Sequence, residues 1–203
     1  TLRPDLVVVD PAHAGLIAQL ESAGIGSYTY ATGSLQEIFD HAARLGAAVG
    51  MANEGQRLSS VFAERVAAVQ ARVTGRARPS VLLVFGRRPG AFAELWVNGG
   101  VGFLADIVSI AGGDGLFADL GRPSFRASLE VLLSAPPDVV IEARADADLE
   151  TLMSEWRALP GFDQVRVVLL DPTVALIPGP RVVSTTARLA EALHPETVGA
   201  LSR

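Results

Sequence analysis

The segment Asn53–Thr74 constrains the fold more than any other part of the chain. It contains no proline and a single glycine, Gly55, and it ends at Gly75 and Pro79. Leu58, Val61, Phe62, Val66, Val69 and Val73 recur at helical spacing on one face. At about 1.5 Å rise per residue this predicts a rod of roughly 30 Å, long for a globular helix. The strand and helix patterns before and after it form two unequal blocks.

The first block alternates strand and helix. Leu6–Val9 (LVVV) is a β-branched run of the kind buried in parallel sheets, and Ala12–Ala23 comes next with Leu16, Ile17 and Leu20 at helical spacing before Gly24. Ser27–Ala31 alternates like a strand. Ser34 and Glu37 then form a capping box ahead of a helix whose apolar face is Leu35, Ile38, Phe39, Ala42 and Leu45. A two-stranded parallel sheet cannot cover both its faces, so this block reads as incomplete: either the segment docks elsewhere or, the favoured reading, its missing strands lie upstream of Thr1.

The second block is richer. Strands are predicted at Val81–Phe85, Asp138–Glu142 and Val165–Leu170, and helices at Gly100–Ala111, Ala127–Ser134, Leu149–Leu159 and Val182–Leu193. Gly86–Asn98 is read as a long loop, and His194 as closing the last helix. This is the grammar of α/β layers.

Composition removes several function classes. The net charge of −5 argues against a nucleic-acid binder, which needs a basic face. There is no cysteine, which rules out a thiol nucleophile or an iron–sulfur ligand among these residues. All 17 basic residues are arginine, so neither a Walker A lysine nor a Schiff-base lysine exists. No apolar run is long enough to span a membrane, and no targeting segment is visible.

Gly100, Gly102 and Ala105 match the spacing G-x-G-x-x-G/A of a dinucleotide-binding turn. That turn must follow a strand directly, whereas the predicted strand ends near Phe85. The glycines therefore read better as close-approach positions before a helix, with Gly112 and Gly113 ending it. The loop GRRPGAFAELWVN carries Arg87, Arg88, Phe92 and Trp96 at the carboxyl end of a strand, where open α/β sheets bind ligands. That mixture suits a large, flat, partly anionic ligand; the alternative is a surface loop with Trp96 tucked into the core. His13 is either a ligand to a metal or haem, or a solvated loop histidine. Tyr28 and Tyr30 share one strand face, so at least one of them packs in the core.

Taken in order, the motifs LRPDLVVV (Leu2–Val9), the long helix, GGVGFLADIVSIAGGDGLFADL, SLEVLL (Ser128–Leu133), PPDVVIEA (Pro136–Ala143), IPGPRV (Ile177–Val182) and LHPE (Leu193–Glu196) resemble the substrate-binding proteins of ABC importers for cobalamin, ferric siderophores and haem. The resemblance covers almost the whole chain. It implies an α/β protein with two parallel-sheet sandwich lobes joined by one rigid helix. Residues 1–50 would be the remnant of the N-terminal lobe, 51–78 the linking helix and 79–203 the C-terminal lobe. Further strands, with any signal peptide or lipid-anchored cysteine, would lie upstream.

The implied function is not enzymatic. A periplasmic or extracytoplasmic monomer would capture cobalamin or a ferric siderophore between its lobes and deliver it to an ABC permease. It would meet the membrane only through that permease or a lipid anchor. No cofactor beyond the transported ligand and no protein-held metal is implied. A haem receptor of the same fold is the alternative, with His13, Tyr28 and Tyr30 as candidate axial ligands. A nucleotide-dependent α/β enzyme using Gly100–Ala105 is the alternative from a different class. A zinc or manganese receptor would need three or four converging ligands, and His13 is the only histidine near the expected cleft.

Ligand-facing residues implied by the resemblance are His13, Tyr28, Tyr30, Arg87, Arg88, Phe92, Trp96, Asn98, Gly99, Gly100 and Arg144. Glu130 matches the acidic position with which the second lobe meets permease arginines. The first-lobe counterpart is missing from PAHAGLIAQL; Asp10 and Glu21 are only near it.

Overall fold

The computed structural model describes residues 3–196 as an α/β protein. The chain divides into two compact units, the first ending at Ala63 and the second beginning at Glu64.

In the first unit β1 (Leu6–Val9) pairs in parallel with β2 (Gly26–Thr29), connected by α1 (Ala14–Ser22). Helix α2 (Leu35–Ala48) starts where the sequence places it, because Ser34 and Glu37 exchange both bonds of a capping box. Its Leu35, Ile38 and Phe39 are buried. Burial along β1 is partial among the described residues. Val9 is buried but Val8 is exposed, and α1 buries no residue at all. Two strands expose too much edge and face for LVVV to be enclosed on both sides.

The long helix α3 (Ala52–Val73) forms as predicted, and the boundary between the units falls within it. Its one glycine has a packing reason. A Cβ on Gly55 would sit 2.7 Å from the carbonyl oxygen of Ala42 and 2.9 Å from Cα of Gly46, so α2 and α3 approach backbone to backbone there.

The second unit holds one six-stranded sheet. Strands β3 (Ser80–Gly86), β7 (Val139–Ala143) and β8 (Arg166–Leu170) run parallel. Beyond β3 lie β4 (Leu95–Gly99) and then β6 (Arg122–Ala127), each antiparallel to its neighbour, giving the order β6-β4-β3-β7-β8. A short β5 (Asp114–Gly115) pairs in parallel with the start of β3. The sheet is therefore mixed, and Gly86–Asn98 is not one long loop but a turn leading into β4. Helices α4 (Phe103–Ile110), α5 (Leu129–Ser134), α6 (Leu149–Arg157), α7 (Pro172–Ala175) and α8 (Val182–Leu193) complete the unit. Ser128, Asp148 and Asp171 each cap a helix by accepting a backbone N–H.

The starts of β3 and β7 are stapled side chain to backbone. Asp138 accepts from the N–H of Ser80 at 2.7 Å, and Ser80 Oγ accepts from the N–H of Asp138 at 2.9 Å. Every residue of β7 is buried, including Glu142. The core gathers Leu82, Val84, Leu95, Val97 and Val140 from the sheet with Leu132, Leu152, Trp156 and Phe162 packed on it.

Candidate functional site

Adjacent parallel strands β3 and β7 end in arginines: Arg87 follows Gly86, and Arg144 follows Ala143. This is the sheet edge where open α/β folds hold ligands. Yet Arg87 does not face solvent. Its side chain is 0% exposed; Nε donates to Glu142 at 2.9 Å and Nη2 donates to Glu155 at 2.5 Å. The guanidinium lies 4.8 Å from the centre of the Phe92 ring and 5.3 Å from that of Trp156. The indole N–H of Trp156 donates to the same Glu142 oxygen at 2.8 Å.

Arg144 closes the cluster, with Nη1 3.3 Å from Glu142 and 3.5 Å from Glu155, while its Nε faces the Asp146 carboxylate at 3.5 Å. Two guanidinia thus meet two inner carboxylates, the balance that burial of charge requires. Burial raises the Glu155 pKa, but the hydrogen bond and charge of Arg87, the charge of Arg144 and the N–H of Gly90 together hold it below the usual glutamate value. The sequence reading of Arg87 as a ligand contact is corrected: its donors are committed to carboxylates inside the fold. Phe92 is half-buried against Trp156, with ring centres 5.0 Å apart, and belongs to the same cluster.

The other candidates of this unit occupy the neighbouring strands. Trp96 is 40% exposed and points away from the core, because Leu95 and Val97 on either side of it are buried. Arg88 is exposed and lies 3.6 Å from Glu94. Asn98 bridges the turn after β4: its Nδ2 donates to the carbonyls of Val101 and Pro123, and its Oδ1 accepts from the N–H of Gly100 at 3.0 Å. Gly99 is buried, and a Cβ there would strike Arg122 at 2.7 Å. Glu130 is exposed in the first turn of α5.

The phosphate-turn reading of Gly100–Ala105 fails, though not for the reason the sequence suggested. A strand, β4, does run directly into these glycines. However, β4 is antiparallel to β3, and β5, the strand after α4, pairs with β3 instead, so no βαβ unit forms around the turn. Gly100 has φ of +96°, and a Cβ on it would lie 2.0 Å from the Ala118 carbonyl oxygen. The space a diphosphate would need is filled by the protein's own backbone. A cavity of about 480 Å³ beside it is lined by Leu83, Gly100, Ala105, Asp106 and Phe117, among others.

In the first unit Tyr28 and Tyr30 are both turned toward α2. The Tyr28 hydroxyl lies 2.6 Å from Nδ1 of His41, and the Tyr30 ring stacks on that imidazole with centres 4.3 Å apart. His41 Nε2 lies 2.8 Å from the carbonyl oxygen of Ala31. A carbonyl only accepts, so Nε2 carries the proton and Nδ1 accepts from Tyr28. Burial, and then the neighbouring Tyr28, push the Tyr30 pKa up. Sequence reasoning missed His41, a buried histidine inside a regular apolar pattern. Its position facing the Tyr28–Tyr30 stripe was the available signal. His13 is exposed at the start of α1, and its ring makes no capping bond. Among the described residues no group of three or more His, Asp and Glu side chains is placed to hold a metal ion.

Residues 1–173 match the family model described as periplasmic binding protein, and the chain belongs to that family. A cobalamin-binding protein of Halobacterium salinarum is 29% identical over 97% of this chain, which spans 55% of that relative's length. Among solved structures, the periplasmic heme-binding protein RhuT from Roseiflexus sp. RS-1, in apo form, superimposes with a TM-score of 0.80 at 24% identity, covering 96% of this chain and 77% of that one. The periplasmic heme-binding protein BhuT, in complex with two hemes, gives 0.71 at 26% identity, covering 94% of this chain and 76% of that one. These relatives are binding proteins, not enzymes.

Proposed function

We propose that the chain is part of an extracytoplasmic solute-binding protein that captures cobalamin or a ferric siderophore and delivers it to an ABC permease. The observation that carries the reading is the family match over residues 1–173, joined by a curated relative that binds cobalamin. In this reading residues 1–50 belong to one lobe, 51–78 to the linking helix and 79–203 to the other lobe. The ligand meets His13 in the first lobe and, in the second, Arg88, Trp96 and Arg144 at the edge where β3 and β7 end. Asn98, Gly99 and Gly100, implied as contacts by the resemblance, lie at the far end of antiparallel β4 beside the start of β3 and are left out of this edge. Glu130 meets an arginine of the permease. Such an exposed pair contributes about 0–1 kcal/mol, so it orients docking more than it tightens it.

Haem is the second reading, favoured by the likeness to a structure that holds two hemes. Melting curves and tryptophan fluorescence of the chain with cyanocobalamin, haemin and ferrichrome separate the two. A response to cyanocobalamin or ferrichrome supports the first reading and a response to haemin alone the second. No shift with any of the three removes the ligand class.

A further inference from the structure

Burial removes Arg87 from the cations this unit offers a ligand. The outward face of the antiparallel pair β4 and β6 supplies one that the sequence did not single out. Trp96 and Arg126 are cross-strand partners, and the Arg126 guanidinium lies 5.2 Å from the indole centre. On the other neighbour, β3, Gly86 lies against the indole: a Cβ there would be 3.4 Å from Trp96 Cβ. The ring is thus seated on one strand and flanked by an arginine on the other, yet it remains 40% exposed.

The charges around it are unbalanced. Glu94 is the shared partner of Arg126 at 3.3 Å and of Arg88 at 3.6 Å. One carboxylate between two guanidinia leaves an excess positive charge, on a chain whose net charge is −5. All three side chains are at least half exposed, so the pairs are weakly held and exchangeable. Gly86 is the last residue of β3, which puts the patch at the ligand-binding edge of the sheet. Exposed tryptophan and arginine side by side are also the residue types that most often dominate binding energy.

We propose that Trp96 and Arg126 form a recognition platform for a metal chelate that bears an anionic group. The apolar surface of the chelate covers the indole. Its carboxylate or phosphate diester replaces Glu94 on Arg126. The assignment rests on the solute-binding reading above and deepens it: Arg126 is a specificity-determining residue that selects anionic over neutral chelates. Cation–π contact with Trp96 holds the guanidinium in place before the ligand arrives, which reduces the ordering cost of binding. Glu94 occupies the arginine in the free protein and therefore competes with the ligand.

The test is isothermal titration of the 203-residue chain with two matched pairs of probes. Cyanocobalamin carries a phosphate diester that dicyanocobinamide lacks, and haemin carries carboxylates that its dimethyl ester lacks. For whichever pair the unsubstituted chain binds, Arg126→Gln weakens the anionic member about tenfold and leaves its anion-free analogue within about twofold. Glu94→Gln tightens the anionic member several-fold, a change that a purely structural Glu94 would not produce. Trp96→Phe keeps most of the affinity for both members, and Trp96→Leu loses it for both.

Equal weakening of both members by Arg126→Gln, or no weakening of either, overturns the platform while leaving the solute-binding reading intact. Failure of Glu94→Gln to tighten binding overturns the competition. Failure of the unsubstituted chain to bind any of the four probes overturns the platform, and failure to bind ferrichrome as well overturns the reading beneath it.

Discussion

Replacing Arg87 with methionine isolates the contribution of the buried ion cluster. Methionine retains much of the apolar contact with Phe92 and Trp156 but removes the charge and the hydrogen bonds to Glu142 and Glu155. Glu155, 18% exposed, can recover some hydration, whereas Glu142 is 2% exposed and keeps only the Trp156 N–H at 2.8 Å and Arg144 at 3.3 Å. Removing one partner of a buried pair costs about 3–5 kcal/mol, because the other charge stays desolvated. For a chain of this length that lowers the melting temperature by roughly 6–20 °C.

The double variant Arg87→Met/Glu142→Gln should recover more than half of the loss, because the glutamine amide oxygen still accepts from Trp156 and no charge is stranded. Differential scanning calorimetry of the three proteins at neutral pH measures both effects. If Arg87→Met melts within about 2 °C of the parent, or the double variant is no better than the single one, the cluster does not act as a buried charge balance.

Three further outcomes rest on the same kinds of contact. Glu155 has its folded-state pKa lowered, so it adds stability above its unfolded value that is lost as pH falls through the folded one. Urea midpoints measured from neutral to acid pH should fall less steeply for Glu155→Gln than for the parent. Gly55→Ala should destabilise the first unit by about 1–3 kcal/mol in urea denaturation despite alanine's better helix propensity, since its Cβ would meet backbone at 2.7 Å. Tyr28→Phe should cost about 1–3 kcal/mol by leaving buried His41 Nδ1 without its donor, and His41→Phe combined with it should cost less than the two changes summed.

Much of the scaffold was legible in the sequence because its signals are local. The α3 helix is written in one unbroken apolar stripe, and α2 in a cap that Ser34 and Glu37 form within a single turn. Strands β1, β7 and β8 each carry a β-branched run that no other local structure fits as well. By contrast, LWVNG and RPSFRA became β4 and β6 against their composition. Their glycine, proline and arginine residues weaken any strand signal, and only mutual pairing with correct register stabilises them. An exposed Trp96 was one of the two readings the sequence offered; its partner Arg126, 30 positions further along the chain by number, was not singled out.

Sequence by itself determined the periodicities, the caps and the family, since each of these is set by neighbours within a turn or by motifs in order. Tertiary structure alone decided which polar groups are buried and therefore committed. Arg87 reads as a loop arginine ready for a ligand until the fold brings Glu142 and Glu155 to it from 55 and 68 residues away. Tyr28 reads as a candidate ligand until His41 on α2 takes its hydroxyl. Desolvation is a property of surroundings assembled from distant segments, so a charge is buried or offered to solvent only once those segments have met.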